Sequence, residues 1–426
     1  MITMQKQRKG MVTASWNEGN NVKIDVRFFI MECSSWGADS CIYHRFALKY
    51  SKNELQHMNF YLFTTELRRA GVQRVVSILA DRWSRDAMVT IVLMRNEVEY
   101  DLPAAVRVIT LDCQTGPLHF YSGFLAWRAR RQLRAILAEN QGPFAFYSFL
   151  EMPNFISVLL KRDFPDGIFV GGMHVNVFMY GRIFHLLYPL YRHLDALISC
   201  SEWNRRLFVE KFAVPENKSF FIPNPIDFEA ITRQAAEKVP DDLAALAGKK
   251  PLILAAGRME KVKNFALLLR AFAGMPDSSP PANLIILGDG PERRALQRLA
   301  QRLGISERLT MPGKVNNPFV WMAHSDLFVH SSNYEGWGNV IVEAMVTGLP
   351  VVACDAPTGP AEILRHGEYG MLVPTHDARA LAEAMAKQLL RGKTAYPFLQ
   401  DWNAGAIAGR FRKVAEDIFK ERTSCN

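Results

Sequence analysis

Ser331-Ser-Asn-Tyr-Glu-Gly-Trp-Gly-Asn-Val-Ile-Val-Glu-Ala-Met-Val-Thr-Gly348 lies between two apolar runs, Asp326-Leu-Phe-Val-His330 and Pro350-Val-Val-Ala-Cys354. Short apolar runs bounded by turn formers read as buried strands. Between them Gly336 and Gly338 supply a tight turn, and Asn339 reads as the N-cap of a helix from Val340 to about Val346. The order strand, loop, helix, strand is one unit of a doubly wound α/β fold. It puts Glu335 at the carboxyl end of a strand and Glu343, eight residues on, in the first turns of the helix. Backbone N–H groups between these carboxylates point into one crevice, where a helix start favours a phosphate. A ligand bearing both a phosphate and several hydroxyls suits that pairing, and a sugar nucleotide is such a ligand.

The same alternation extends upstream. Strand patterns at 252–256, 284–287 and 309–311 alternate with helix patterns at 265–273, 293–303 and 319–323. Pro223-Asn-Pro225 and a polar stretch from 232 to 250 separate this half from an earlier one. There, strands are predicted at 59–63, 89–94, 106–111, 144–147, 168–170, 196–199 and 219–222, with a helix over 72–82 and helix-period segments between most of the others. The expectation is α/β: two Rossmann-like doubly wound domains facing a central cleft, where ligands bind preferentially. The domains run over 58–225 and 226–400, with a C-terminal helix in 401–426 that packs back on the first. Residues 1–57 match this pattern poorly and read as a flexible extension. Lys23-Ile-Asp-Val-Arg-Phe-Phe-Ile-Met31 there reads as an isolated strand at most, and Met58 would serve as an initiator.

Composition narrows the class. The chain has 426 residues, 49% hydrophobic and 22% charged, which is ordinary for packed domains. A formal charge of +9 fits an anionic ligand or an anionic membrane surface. No basic run, zinc-ligand spacing or aromatic platform supports nucleic acid. Cys33, Cys41, Cys113, Cys200, Cys354 and Cys425 are scattered without a CxxC, as reduced thiols of a cytoplasmic protein would be. No signal-peptide pattern opens the chain, and no apolar stretch reaches the roughly 20 residues of a membrane span.

A second constellation, Gly257-Arg-Met-Glu-Lys-Val-Lys-Asn264, directly follows a strand. Arg258 and Lys263 fall on the same sheet edge as Glu335. There they would neutralise a diphosphate and the charge it gains on leaving. Together with Tyr334-Glu-Gly-Trp-Gly-Asn-Val-Ile-Val-Glu-Ala-Met345, this loop resembles the nucleotide-sugar site of retaining glycosyltransferases of family 4. Asp355-Ala-Pro-Thr-Gly-Pro-Ala-Glu-Ile363 and Ile222-Pro-Asn-Pro-Ile-Asp227 are similar to that family too, and the resemblance runs from about Met58 to the C-terminal helix.

The resemblance implies the GT-B fold and a role for each matching position. Glu335 would bond donor-sugar hydroxyls and Glu343 the ribose hydroxyls. Arg258 and Lys263 would grip the diphosphate, helped by amides around Gly338, Asn339 and Val340. The loop at Val315 would lie against the nucleobase, uracil in preference to guanine. In Arg69-Ala-Gly-Val-Gln-Arg74 only Gly71 remains of the family's glycine pair, and Gln73 stands where an acid is common. His174 matches a family histidine near the reacting sugar, against the alternative of a satisfied structural residue. Glu151 and Asn154 resemble a loop that meets the acceptor. The resemblance implies retention of anomeric configuration, and neither metal nor cofactor.

Partners follow from the same reading: a nucleotide-sugar donor and a saccharide or glycolipid acceptor, with no nucleic acid. Between 118 and 134 aromatics mix with four arginines and no acid, which suits an anionic membrane surface as well as an ordinary helix with a solvated basic side. The location implied is the cytoplasm, at the inner face of the plasma membrane. Against a transferase stand a non-catalytic scaffold, a nucleotide-sugar epimerase and a pyridoxal-phosphate phosphorylase of the same fold. An NAD-dependent dehydrogenase would need G-x-G-x-x-G, and Gly288-Asp-Gly290 lacks the third glycine.

Overall fold

Strands that are apolar on both faces need helices on both faces, and each half of the chain meets that need with its own parallel sheet. The computed structural model describes residues 3–7, 11–15, 26–29 and 57–424, apart from 69, 112, 114–122, 175–176, 178–181 and 247–249. Strands β1 (Thr3–Gln7), β2 (Met11–Ser15) and β3 (Val26–Phe29) form an antiparallel sheet. The strand within 23–31 is therefore not isolated, because β2 pairs it to β1. The remainder of 1–56 lies outside the described residues, and so does its expected flexibility.

The first lobe runs β4 (Asn59–Thr64), α1 (Gly71–Trp83), β5 (Val89–Leu93), β6 (Val106–Thr110), α2 (Gly123–Ala138), β7 (Phe144–Phe149), α3 (Glu151–Lys161), β8 (Ile168–Met173), α4 (Arg182–His185), β9 (Ala196–Ser199), α5 (Glu202–Phe212) and β10 (Ser219–Phe221). The second runs α6 (Phe228–Ala235), α7 (Asp241–Ala244), β11 (Leu252–Ala256), α8 (Phe265–Ala273), β12 (Asn283–Leu287), α9 (Arg293–Arg302), β13 (Leu309–Gly313), α10 (Pro318–Ala323), β14 (Leu327–His330), α11 (Asn339–Val346), β15 (Val351–Cys354), α12 (Pro360–Ile363), β16 (Met371–Val373) and α13 (Ala378–Leu389). Helix α14 (Ala404–Ser424) closes the described chain.

Sheet orders are β10-β9-β8-β7-β4-β5-β6 and β13-β12-β11-β14-β15-β16, parallel throughout. Each order reverses once, between β4 and β7 and between β11 and β14. At such a reversal adjacent loops leave in opposite directions and open a crevice at the carboxyl ends of the strands. The β11 loop carries Lys263 and the β14 loop carries Glu335, so both flank the crevice of the second sheet.

The two lobes are joined by two crossings of the chain. Ile226 on the first pairs in parallel with Asn403 on the second, which makes a short two-stranded joint. Beyond it α14 returns to the first lobe, burying Ile407, Phe411, Val414 and Phe419 beside Val72, Val76 and Leu79 of α1. Each of those side chains contributes roughly 1.5–3 kcal/mol on burial. Trp83 Nε1 donates to Ala408 O (3.0 Å) and the Tyr147 hydroxyl to Phe411 O (2.6 Å), so the buried polar tips are satisfied as well.

Candidate active site

The floor of the second lobe's crevice is two loops laced together by backbone and amide bonds. Asn333 N donates to Val262 O (2.8 Å), Ser331 Oγ to Lys263 O (2.8 Å) and Asn264 Nδ2 to Asn333 Oδ1 (2.9 Å). Asn264 takes the left-handed conformation (φ 47°) and caps α8 through its side chain, which ends the β11 loop sharply. The lacing brings Lys263 Nζ to 2.5 Å from Glu335 Oε1. The same oxygen meets His330 Nε2 at 2.7 Å and accepts from Ser332 Oγ at 2.8 Å. Glu335 Oε2 makes no bond among the described residues, so all three contacts fall on one oxygen.

Burial alone would push the Glu335 carboxyl up. The Lys263 ammonium and the His330 hydrogen bond outweigh it and hold Glu335 well below the usual carboxylate range. His330 and Ser332 were not singled out by the sequence reading. Their signal was present, since a histidine ending a buried strand five residues before a catalytic-type carboxylate has that carboxylate within reach.

Behind Glu335 the loop is pinned by Trp337, whose buried ring lies 5.8 Å from Phe221 and 5.5 Å from Trp402, one on each side of the crossings. Gly359 makes this possible, because a Cβ there would stand 1.7 Å from Trp337 O. The helix start differs from expectation by one residue. Gly338, at φ 103°, precedes α11, and Asn339 is its first helical residue rather than its cap. A left-handed glycine turns the chain into the helix more sharply than an asparagine cap does, leaving the first amides without a side-chain partner. Glu343 sits in the second turn of α11, nearly buried, and pairs with Arg74 from the opposite lobe.

The other expected residues lie as follows. Arg258 does not join Lys263: its side chain is 72% exposed and pairs with Glu260 at 3.0 Å. Val315 is half-buried against the apolar face that holds Ile341 and Val342, and Val340 packs on the same cluster. Gly71 opens α1 opposite α11, where an added Cβ would meet Asn339 Nδ2 at 3.5 Å. Glu151 and Asn154 are buried on α3; Asn154 donates to Gly172 O (3.0 Å) and accepts from Ser148 Oγ (2.8 Å), tying β7 to β8.

His174 stands at the end of β8, buried between Phe149 and Phe411. Its Nδ1 lies 2.7 Å from Asn224 Oδ1, and Asn224 Nδ2 donates to Asn339 Oδ1 at 2.9 Å. That direction assigns the proton to Nδ1 and leaves Nε2 an acceptor, without a partner among the described residues. Desolvation pushes the imidazole down to about 4, opposed by the Asn224 bond, so His174 is neutral at pH 7. Two more links cross the cleft base: Cys200 Sγ donates to Gly336 O (3.2 Å), and Glu362 accepts from the Glu202 and Trp203 amides (2.7 and 3.1 Å) at the start of α5. Among the described residues no group of three or more His, Cys, Asp or Glu side chains is placed to hold a metal.

Two Rossmann-like lobes facing each other across a cleft are the GT-B architecture of glycosyltransferases. The family model for glycosyl transferases group 1 matches residues 242–402, and that for glycosyltransferase family 4 matches 69–230. This chain belongs to that family and is a glycosyltransferase. The N-acetylgalactosamine-N,N'-diacetylbacillosaminyl-diphospho-undecaprenol 4-alpha-N-acetylgalactosaminyltransferase of Campylobacter jejuni is 28% identical over 377 residues, 84% of this chain and 98% of its own length. The lipopolysaccharide core biosynthesis glycosyltransferase LpsE of Rhizobium meliloti is 34% identical over 165 residues, 39% of this chain and 47% of its own. In fold, the chain matches the apo form of the lipopolysaccharide outer core galactosyltransferase WaaB (TM-score 0.67, 13% identity, 85% of this chain and 99% of that one). It also matches HepE of Anabaena solved with UDP and glucose (TM-score 0.62, 19% identity, 87% and 98%).

Proposed function

We propose that the protein moves a hexosyl or N-acetylhexosaminyl group from a nucleotide-diphosphate sugar, a UDP-sugar in preference, to a hydroxyl of a saccharide or lipid-linked glycan in cell-surface polysaccharide assembly. The observation that carries this reading is the Lys263–Glu335 contact at the sheet reversal. A buried carboxylate held ionised orients sugar hydroxyls and opposes the positive charge of an oxocarbenium-like transition state. Lys263 and the amides opening α11 meet the diphosphate, with Arg258 swinging in from solvent. The acceptor oxygen attacks the anomeric carbon on the face the diphosphate leaves, so configuration is retained. The acceptor proton passes to the leaving phosphate oxygen, and no metal or other cofactor enters the step. The Campylobacter relative, named for a diphospho-undecaprenol-linked acceptor, supports a lipid-linked acceptor here.

Such an acceptor lies at a bilayer, and α2 supplies a face for it. The helix buries Leu125, Ala126, Ala129, Leu133 and Leu137 and turns Phe124, Trp127, Arg131 and Arg134 outward. Phe124 and Trp127 are 62% and 53% exposed and stack at 6.0 Å, with the Arg131 guanidinium 5.9 Å from the Trp127 ring. No helix among the described residues is long and apolar enough to cross a membrane, so contact of this kind would be peripheral, at the cytoplasmic face.

Incubating the purified protein with UDP-, GDP- and ADP-sugars, and following hydrolysis and binding, tests the donor half. A UDP-sugar is expected to bind and turn over, and Lys263→Ala and Glu343→Ala each to weaken it about tenfold or more. Unchanged affinity in both variants, or no binding of any sugar nucleotide, would remove the assignment.

A further inference from the structure

Arg74 lies in the first turn of α1, where the helix dipole disfavours a cation and no acidic residue shares the turn. Its guanidinium crosses the cleft to Glu343 of α11, 269 residues away, with Tyr100 as its other polar neighbour. Glu343 is 9% exposed at the side chain, whereas Arg74 keeps 39%. The resemblance assigns Glu343 to the ribose, and Arg74 stands on that same carboxylate. The surroundings are anion-ready: neither Ala70 before α1 nor Gly338 before α11 caps its helix with a side chain, and Gly71 stands near enough to α11 that an added Cβ would touch Asn339 Nδ2 at 3.5 Å.

We propose that Arg74 is a donor-diphosphate ligand held in reserve on Glu343. Ribose hydroxyls displace it, and the released guanidinium turns to the diphosphate entering between the two uncapped helix ends. This rests on the sugar-nucleotide reading of the cleft and adds to it a cation from the opposite lobe. A guanidinium offers two phosphate oxygens a fixed planar fork, where an ammonium acts as a point charge. The exchange also sets a selection rule. A nucleoside without phosphates must break the ion pair and offers the arginine nothing in return, whereas a nucleoside diphosphate replaces the lost contact.

Calorimetric titration of the wild type, Arg74→Ala and Arg74→Lys with uridine and UDP, and in parallel guanosine and GDP, tests this. Arg74→Ala is expected to bind the nucleoside a few-fold more tightly, its competitor for Glu343 gone, and the diphosphate about tenfold more weakly. Arg74→Lys is expected to recover part of the diphosphate affinity. Equal changes for nucleoside and diphosphate, or an unchanged diphosphate affinity, would overturn the proposal while the sugar-nucleotide reading stands. A wild type that binds neither pair would overturn both.

Discussion

The two lobes share a fold and divide the chemistry unevenly. In the second lobe, polar and charged side chains meet inside a single crevice, with Lys263, His330 and Ser332 on one oxygen of Glu335. In the first lobe, the corresponding sheet edge carries a neutral His174 between aromatic rings, an Asn154 spent on tying two strands, and the bare end of α1. Ionic groups are costly to bury and persist only where partners are fixed beforehand. The second lobe supplies those partners within one pair of loops. The first supplies shape, and the partner of its Arg74 lies across the cleft. The second lobe builds the cluster around Glu335 locally, whereas the Arg74–Glu343 pair depends on how the lobes meet.

The sharpest way to break this division is Glu335→Gln, which keeps the shape and removes the charge. If the carboxylate acts on the transferring sugar, kcat should fall by about 10²–10³, while UDP affinity changes by only a few-fold. Steady-state rates with donor and acceptor, set beside UDP titration, measure the two separately. A loss confined to UDP affinity would mean that Glu335 serves the nucleotide, and the division between sugar and nucleotide positions would go.

The same contrast explains what the sequence disclosed. The second lobe was readable because its strands, glycines and charges are close in the chain; Leu252–Ala256 and Phe265–Ala273 have the bounds the apolar pattern predicts. Glu335 and Lys263 sit on loops whose place at the sheet reversal follows from that alternation. Arg74 was not readable as a partner of Glu343, since nothing local links residues so far apart. Asn339 was misplaced by one position because its side chain resembles a cap, while the neighbouring glycine can adopt the positive φ that the turn uses. Arg258 shares a loop with Lys263, yet its side chain is exposed and pairs with Glu260.

A second prediction concerns the neutral histidine of the first lobe. The unfolded chain takes up a proton on His174 near 6.5, the folded protein only near 4. Between those values unfolding binds a proton, so this group's contribution is complete above pH 6.5 and declines as pH falls toward 4. The difference amounts to at most about 3 kcal/mol. Urea unfolding at pH 7.5, 6.5 and 5.5 should show wild-type stability falling more steeply below 6.5 than that of His174→Gln. Parallel slopes would mean that the imidazole is accessible to protons in the folded state, and the picture of an uncharged first-lobe site would not survive.

The smallest expected effect separates two faces of the first lobe itself. α1 starts at the cleft, whereas α2 presents its aromatic pair and Arg131 to the outside. A solvated basic face and a membrane-docking face look alike in charge, and the aromatics distinguish them. Phe124 and Trp127 expose apolar surface that water does not reward, yet at an interface the same rings insert while neighbouring arginines meet anionic headgroups. Each arginine near such a surface is worth about 1 kcal/mol, roughly a fivefold change in partitioning. Arg131→Ala should therefore weaken sedimentation with phosphatidylglycerol-containing vesicles by about that factor, and Trp127→Ala should weaken it even at high salt. Raising salt should erase the Arg131 effect and leave the Trp127 effect, because screening acts on charge and not on apolar burial. Equal binding of all three proteins to anionic and neutral vesicles would make α2 an ordinary solvated helix, and the acceptor would then have to reach the cleft from solution.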